Sequence, residues 1–136
     1  MPCTSCPYRR DVPSGVWAHH EYEKLRGYDE PTYNQPFDAF SCHATPEHYC
    51  HGWAVVHTSR GNEYDLIALR LVGSPDIPEA GVPLFASGNE AADHGQLNIE
   101  DPSVAAVVTM HKLLHKYPRL RAKTEPGSHT SDDPGS

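Results

Sequence analysis

Long apolar runs are missing from this chain of 136 residues, and so is any surplus of basic charge. A membrane-spanning helix needs about 20 consecutive apolar residues, so the first absence excludes one. No leader of signal type is visible either: Met1 is followed by Pro2 and Cys3, and the expectation is a protein of the reducing cytoplasm. With 11 lysines and arginines against 18 aspartates and glutamates, the formal charge of -7 argues against a general polyanion binder. Apolar residues make up only 38% and prolines number 13, which suits one domain with a modest core. Catalytic signatures are lacking too. No G-x-S-x-G, no phosphate-cradling glycine loop and no framed pair of carboxylates is present. His111 and His115 stand four apart, but Lys112 occupies the position where a zincin motif needs glutamate, so an exposed helical pair is expected. Nothing here names an enzyme.

Cysteine, in contrast, is concentrated. Cys3, Cys6, Cys42 and Cys50 all fall in the first fifty residues, as C-x-x-C-P, F-x-C-H and C-x-G-W. Two disulfides would belong to an oxidising compartment, and a thioredoxin-like C-x-x-C wants a strand before it. A single metal centre with four thiolate ligands accounts for the grouping better. One tight turn lets Cys3 and Cys6 converge, while Cys42 and Cys50 supply the other half. Either Zn2+ or an oxidised 4Fe–4S core would leave such a site with about two net negative charges. The single C-x-x-C turn, the proline after Cys6 and the uneven spacing point to a 4Fe–4S cluster, with Zn2+ as the alternative. His43, directly after Cys42, reads as a supporting neighbour rather than a ligand, because adjacent residues of an extended chain point opposite ways. Trp17, Phe40 and Trp53 are placed to shield the centre, or simply to fill the core.

The spacing predicts mostly α structure with long loops: a small domain over 1–122, organised around the cysteine centre, and a disordered tail over 123–136. Ser14 is a candidate cap for a first helix that carries Trp17, Tyr22 and Leu25 and stops at Gly27. Tyr28 to Phe40 reads as irregular. Thr45-Pro46 predicts a helix with Cys50, Trp53 and His57 on one face, its positive end lowering the Cys50 pKa. Tyr64 to Leu71 is the expected main core helix. Ser87 and Glu90 stand at capping-box spacing before a helix ending at Gly95, and Asp101-Pro102 opens the longest helix, which Pro118 ends. Basic residues gather at and beyond its end: Lys112, Lys116, Arg119, Arg121 and Lys123. The helix dipole favours cations there, and Lys112, Lys116, Arg119 and Arg121 also form a candidate partner surface. A protein partner suits the acidic chain better than nucleic acid, to which Arg9 and Arg10 could add contacts.

The strings Cys3-x-x-Cys6-Pro7-Tyr8-Arg9, Phe40-x-Cys42-His43 and Cys50-x-Gly52-Trp53, continuing through Pro83-Leu84-Phe85-Ala86-Ser87-Gly88, resemble an uncharacterised family of small proteins from actinobacteria and their phages. That resemblance implies a metal-binding cysteine motif and no established activity. Cys3 to Arg9 with Gly15-Val16-Trp17 is similar, more distantly, to WhiB-like iron–sulfur regulators. Those place a third cysteine soon after the arginine, where this chain has Asp11 and Val12. The combined expectation is a non-catalytic binding or regulatory module, with a redox or sulfur-handling enzyme as the alternative.

Overall fold

Why the first helix starts where it does is set by a glycine. The computed structural model describes residues 3–43, 48–71 and 76–124, and in it α1 spans His19–Arg26. Gly15 takes φ +81°, a left-handed conformation that no helix can pass through, and its amide donates to the Gly95 carbonyl. Ser14 therefore does not cap α1. Ala18 precedes the helix without a side-chain cap, and Trp17 lies outside it with its amide bonded to the Tyr22 hydroxyl. Gly27 does follow the last turn, opening a 3-10 turn over Gly27–Asp29. A second such turn, Thr32–Asn34, interrupts the otherwise irregular path to Phe40.

The second helix, α2, spans His51–Thr58. The expected Thr45-Pro46 start lies outside the described residues, and Cys50 is not within the helix: it is the extended residue ahead of it. Backbone pairing decides this. The Cys50 amide donates to the Phe40 carbonyl at 2.6 Å and the Cys42 amide to the His48 carbonyl at 2.8 Å, a short antiparallel contact that keeps 48–50 out of helical conformation.

Only the end of the expected core helix is α-helical. α3 covers Ile67–Leu71, after a 3-10 turn at Asn62–Tyr64, and Leu71 is exposed while Leu66 and Leu69 are buried. Side chains of the proline-rich loop have taken over the carbonyls and amide here. Thr32 donates to the Glu63 and Asp65 carbonyls, Gln35 donates to that of Tyr64, and the Gln35 amide oxygen accepts from the Ile67 amide.

The helix α4, Gly88–Gln96, has the expected cap. Ser87 Oγ accepts from the Glu90 amide, and Glu90 reaches back to the amide of Ala86. A second cap comes from Asp29, whose carboxylate takes the Gly88 and Asn89 amides at 2.7 and 2.6 Å. Gly88, Ala91, Ala92 and Gly95 form the buried face, and it lies directly on α1. The longest helix, α5, spans Val104–Lys116 and is capped by Ser103 rather than Asp101. Pro118 opens a 3-10 turn, and α6, Arg121–Thr124, ends the described chain with Thr124 buried. The tail beyond 124 lies outside the described residues.

The protein is thus mostly α-helical and loop-rich, with two isolated β-bridges, Arg9 to Leu84 and Ser41 to Tyr49, among the described residues. Its core is one contiguous cluster in which Cys6 and Cys50 are packed with Tyr8, Trp17, Tyr22, Leu25 and Trp53. No helix among the described residues is long and apolar enough to cross a membrane.

Candidate metal centre

The N-terminal loop turns tightly at the cysteines, the Cys6 amide donating to the Cys3 carbonyl. It is then fixed to the P-L-F segment: the Phe85 amide donates to the Tyr8 carbonyl, and that of Arg10 to the Pro83 carbonyl. Trp17 holds it from beneath, its indole N–H donating to the Ser5 carbonyl at 3.0 Å. The Phe40–Cys42 and His48–Cys50 contact brings Cys50 against Cys6 and Cys42 against Cys3. None of the four is in a disulfide.

The thiols stand as two pairs. Cys6 Sγ and Cys50 Sγ are 3.6 Å apart and buried. Cys3 is hydrogen-bonded to Cys42, and both of these are half-buried. The Cys50 thiol bonded to Cys6 lowers the Cys6 pKa, while that bond and burial push Cys50 well up, so one proton is shared across the pair. The positive end of α2 does point at Cys50, through the Trp53 amide, but the claim of Cys6 and the burial outweigh it, reversing the expected direction. Cys3 is likewise raised by Cys42, then by burial and the neighbouring charges of Cys6 and Cys42. Among the described residues no three histidine, cysteine, aspartate or glutamate side chains are grouped so that they could hold a metal ion, so the expected four-cysteine centre is not formed at ligand distances.

Backbone amides reach three of the sulfurs: Ser5 serves Cys3, Tyr8 serves Cys6 and Trp53 serves Cys50. Pro7 therefore does not deprive Cys6 of a donor, because the bond comes from one residue further on. Gly52 makes room for this packing. A Cβ there would stand 2.6 Å from Cys6 Sγ and 3.2 Å from Tyr8 Cβ.

His43 is buried beside Cys42, with Nε2 donating to Glu21 Oε1 at 2.9 Å and its ring stacked on Trp17 at 4.0 Å between centroids. Glu21, itself buried, also meets His20 at 2.9 Å and Lys24 at 3.1 Å. Phe40 and Trp53 are buried around Tyr28, Phe40 also touching Tyr8 and His43 by ring edges. His57, expected on one helix face with Cys50 and Trp53, is fully buried and bonded to the Tyr8 hydroxyl at 2.8 Å. Burial lowers its pKa to about 4. His111 and His115 are exposed.

The basic residues do not form one free surface. Arg119 donates to the His43 carbonyl at 3.0 Å and lies over the Tyr117 ring. Lys112 and Lys116 line a cavity that Cys3 also lines. Arg9 forms a bidentate pair with Asp11, and Arg10 bonds Glu90 and the Leu84 carbonyl, so both have structural work. Glu21, Asp29 and Gly52 were not singled out by their sequence context, only the C-x-G-W string hinting at the glycine, and His57 was placed on a helix face without its bond to Tyr8.

A family model described as "Family of unknown function (DUF6283)" matches residues 1–110. No curated protein and no solved structure gives a match.

Proposed function

The chain belongs to this family of unknown function, DUF6283, and we propose that it is a small non-catalytic binding or regulatory module. In this reading Cys3, Cys6, Cys42 and Cys50 hold one tetrahedral metal ion, Zn2+. The observation that carries it is the buried Cys6–Cys50 pair at 3.6 Å. Two thiolates on one ion at Zn–S of about 2.3 Å stand about 3.8 Å apart, whereas a disulfide needs about 2.05 Å. Amides aimed at Cys3, Cys6 and Cys50 add support, because they stabilise thiolate over thiol. An ion between the pairs would replace the shared protons and clip the N-terminal loop to the segment ahead of α2. Its four protein ligands leave no open position for substrate, which favours a module over an enzyme.

A 4Fe–4S cluster is the second reading, supported by the Cys6-Pro7 step and by the likeness of Cys3 to Arg9 and Gly15 to Trp17 to WhiB-like proteins. Its thiolates sit on separate irons and would need the Cys6 and Cys50 sulfurs to move apart. An actinobacterial or phage source, a reducing cytoplasm and a protein partner complete the proposal. A redox or sulfur-handling enzyme is the alternative.

The test is anaerobic purification followed by zinc, iron and sulfide analysis, with Cys→Ser variants at all four positions. One zinc per chain, lost in each variant, is expected. Iron with matching sulfide and a brown colour would select the cluster instead. Metal-free protein, or retention of metal in any of the variants, would sink the four-ligand centre.

A further inference from the structure

A cavity of about 490 Å³ opens between the cysteine loop and α5. Cys3, Thr4 and Ser5 form one wall. Thr109, Lys112, Leu113 and Lys116 form the other, at helical spacings of three, one and three, so they share one flank of α5. Tyr117 closes the end, with the Lys116 ammonium 5.4 Å from its ring centroid.

The chemistry of the lining is one-sided. In a chain with 18 acidic residues, no aspartate or glutamate lines this cavity among the described residues. Two lysines and four hydroxyl-bearing residues, Thr4, Ser5, Thr109 and Tyr117, line it beside Cys3. Ser5 is buried, with its hydroxyl 3.8 Å from Cys3 Sγ. Lys112 and Lys116 line the cavity while remaining exposed, so both charges are open to a ligand that enters from solvent. The volume falls in the range of small-molecule sites, about 300–1,000 Å³, which combine apolar surface with a few convergent polar groups. Leu113 and Tyr117 supply the apolar part.

We infer that this cavity binds a small organic anion, its phosphate or carboxylate group held by Lys112, Lys116 and the Thr109 hydroxyl and its apolar part resting on Leu113 and Tyr117. Lysine serves here as a point charge on a flexible stem, suited to either head group. Because Cys3 lines the same cavity, the bound anion would lie beside the cysteine loop.

Phenyl phosphate, benzoate and benzyl alcohol, titrated into the full chain and followed by amide NMR shifts, test this. At least one anion should give saturable shifts at Thr4, Ser5 and Thr109, and the stronger of the two names the head group. Benzyl alcohol, of similar shape without charge, should not saturate. Lys112→Gln with Lys116→Gln should weaken anion binding tenfold or more, with metal content unchanged, while Arg70→Gln on α3 should leave it as in the unmodified chain. Should the double variant misfold, the salt dependence decides in its place, since affinity for the unmodified chain must fall as NaCl rises. No saturable shift with either anion, equal binding by benzyl alcohol or salt-independent affinity would overturn the site. Metal analysis of the same samples separates this outcome from failure of the four-cysteine centre.

Discussion

Gly52 has no room for a side chain, since a Cβ would press on Cys6 Sγ and Tyr8 Cβ. Gly52→Ala should therefore push Cys6 from its partner and weaken metal binding at least tenfold, measured by chelator competition, while Val55→Ala on the half-buried side of α2 should not. His57 offers a second test. Its folded pKa of about 4 lies below the ordinary value of 6.5, because burial disfavours the charged ring. The unfolded chain binds this proton more readily, so the neutral ring's contribution is complete above pH 6.5 and is lost as pH falls towards 4. The loss amounts to roughly 3 kcal/mol across that window. An NMR titration should find His57 neutral at pH 5.5 in the folded protein; a midpoint near 6.5 would remove the effect. That the two cysteine groups meet, Cys6 with Cys50 and Cys3 with Cys42, was legible in their grouping along the chain. Gly52, Glu21 and His57 were not, since each acts through a neighbour at least 20 positions away: Cys6, His43 and Tyr8.

At the level of elements, local capping chemistry was readable where nothing competed with it. Ser87 caps α4 as its spacing predicts, and Pro118 ends α5. Ser14 fails because Gly15 is held in left-handed conformation against Gly95, and Cys50 leaves its expected helix because it pairs with Phe40. The Tyr64 to Leu71 helix shortened for a similar reason, loop residues Thr32 and Gln35 bonding its first backbone groups. Tertiary hydrogen bonds overrode propensity in all three. The α1–α4 contact gives the sharpest prediction here. A Cβ at Gly88 would fall 2.1 Å from the Leu25 carbonyl oxygen, and one at Gly95 would fall 2.1 Å from the Tyr22 ring. Alanine raises helix propensity by about 1 kcal/mol, but overpacking costs about 1–3 kcal/mol and occasionally more. Both Gly88→Ala and Gly95→Ala should lower the thermal midpoint, Gly88→Ala more, since backbone yields less than a ring. A rise in either midpoint would mean that α4 stands off from α1.

For the whole molecule, the proposed metal would join parts that are distant in sequence. The loop of Cys3 and Cys6 meets the segment of Cys42 and Cys50 beneath Arg119, which bonds the His43 carbonyl from the far end of the chain. Removing the metal should loosen residues 3–50 while the α1–α4 contact and α5 persist, because Gly88, Ala91, Ala92 and Gly95 pack without the cysteines. Limited proteolysis of chelated protein should cut first in that N-terminal region; unchanged resistance would argue against a structural metal. The clustering of basic residues was legible, but its use was not: Arg119 bonds the His43 carbonyl beside Cys42, whereas Lys112 and Lys116 line the cavity. Zinc-edge X-ray absorption on protein purified without added metal tests the central claim most directly. Four sulfur neighbours at about 2.3 Å are predicted, and nitrogen or oxygen neighbours in place of any sulfur, or no zinc signal at all, would contradict it.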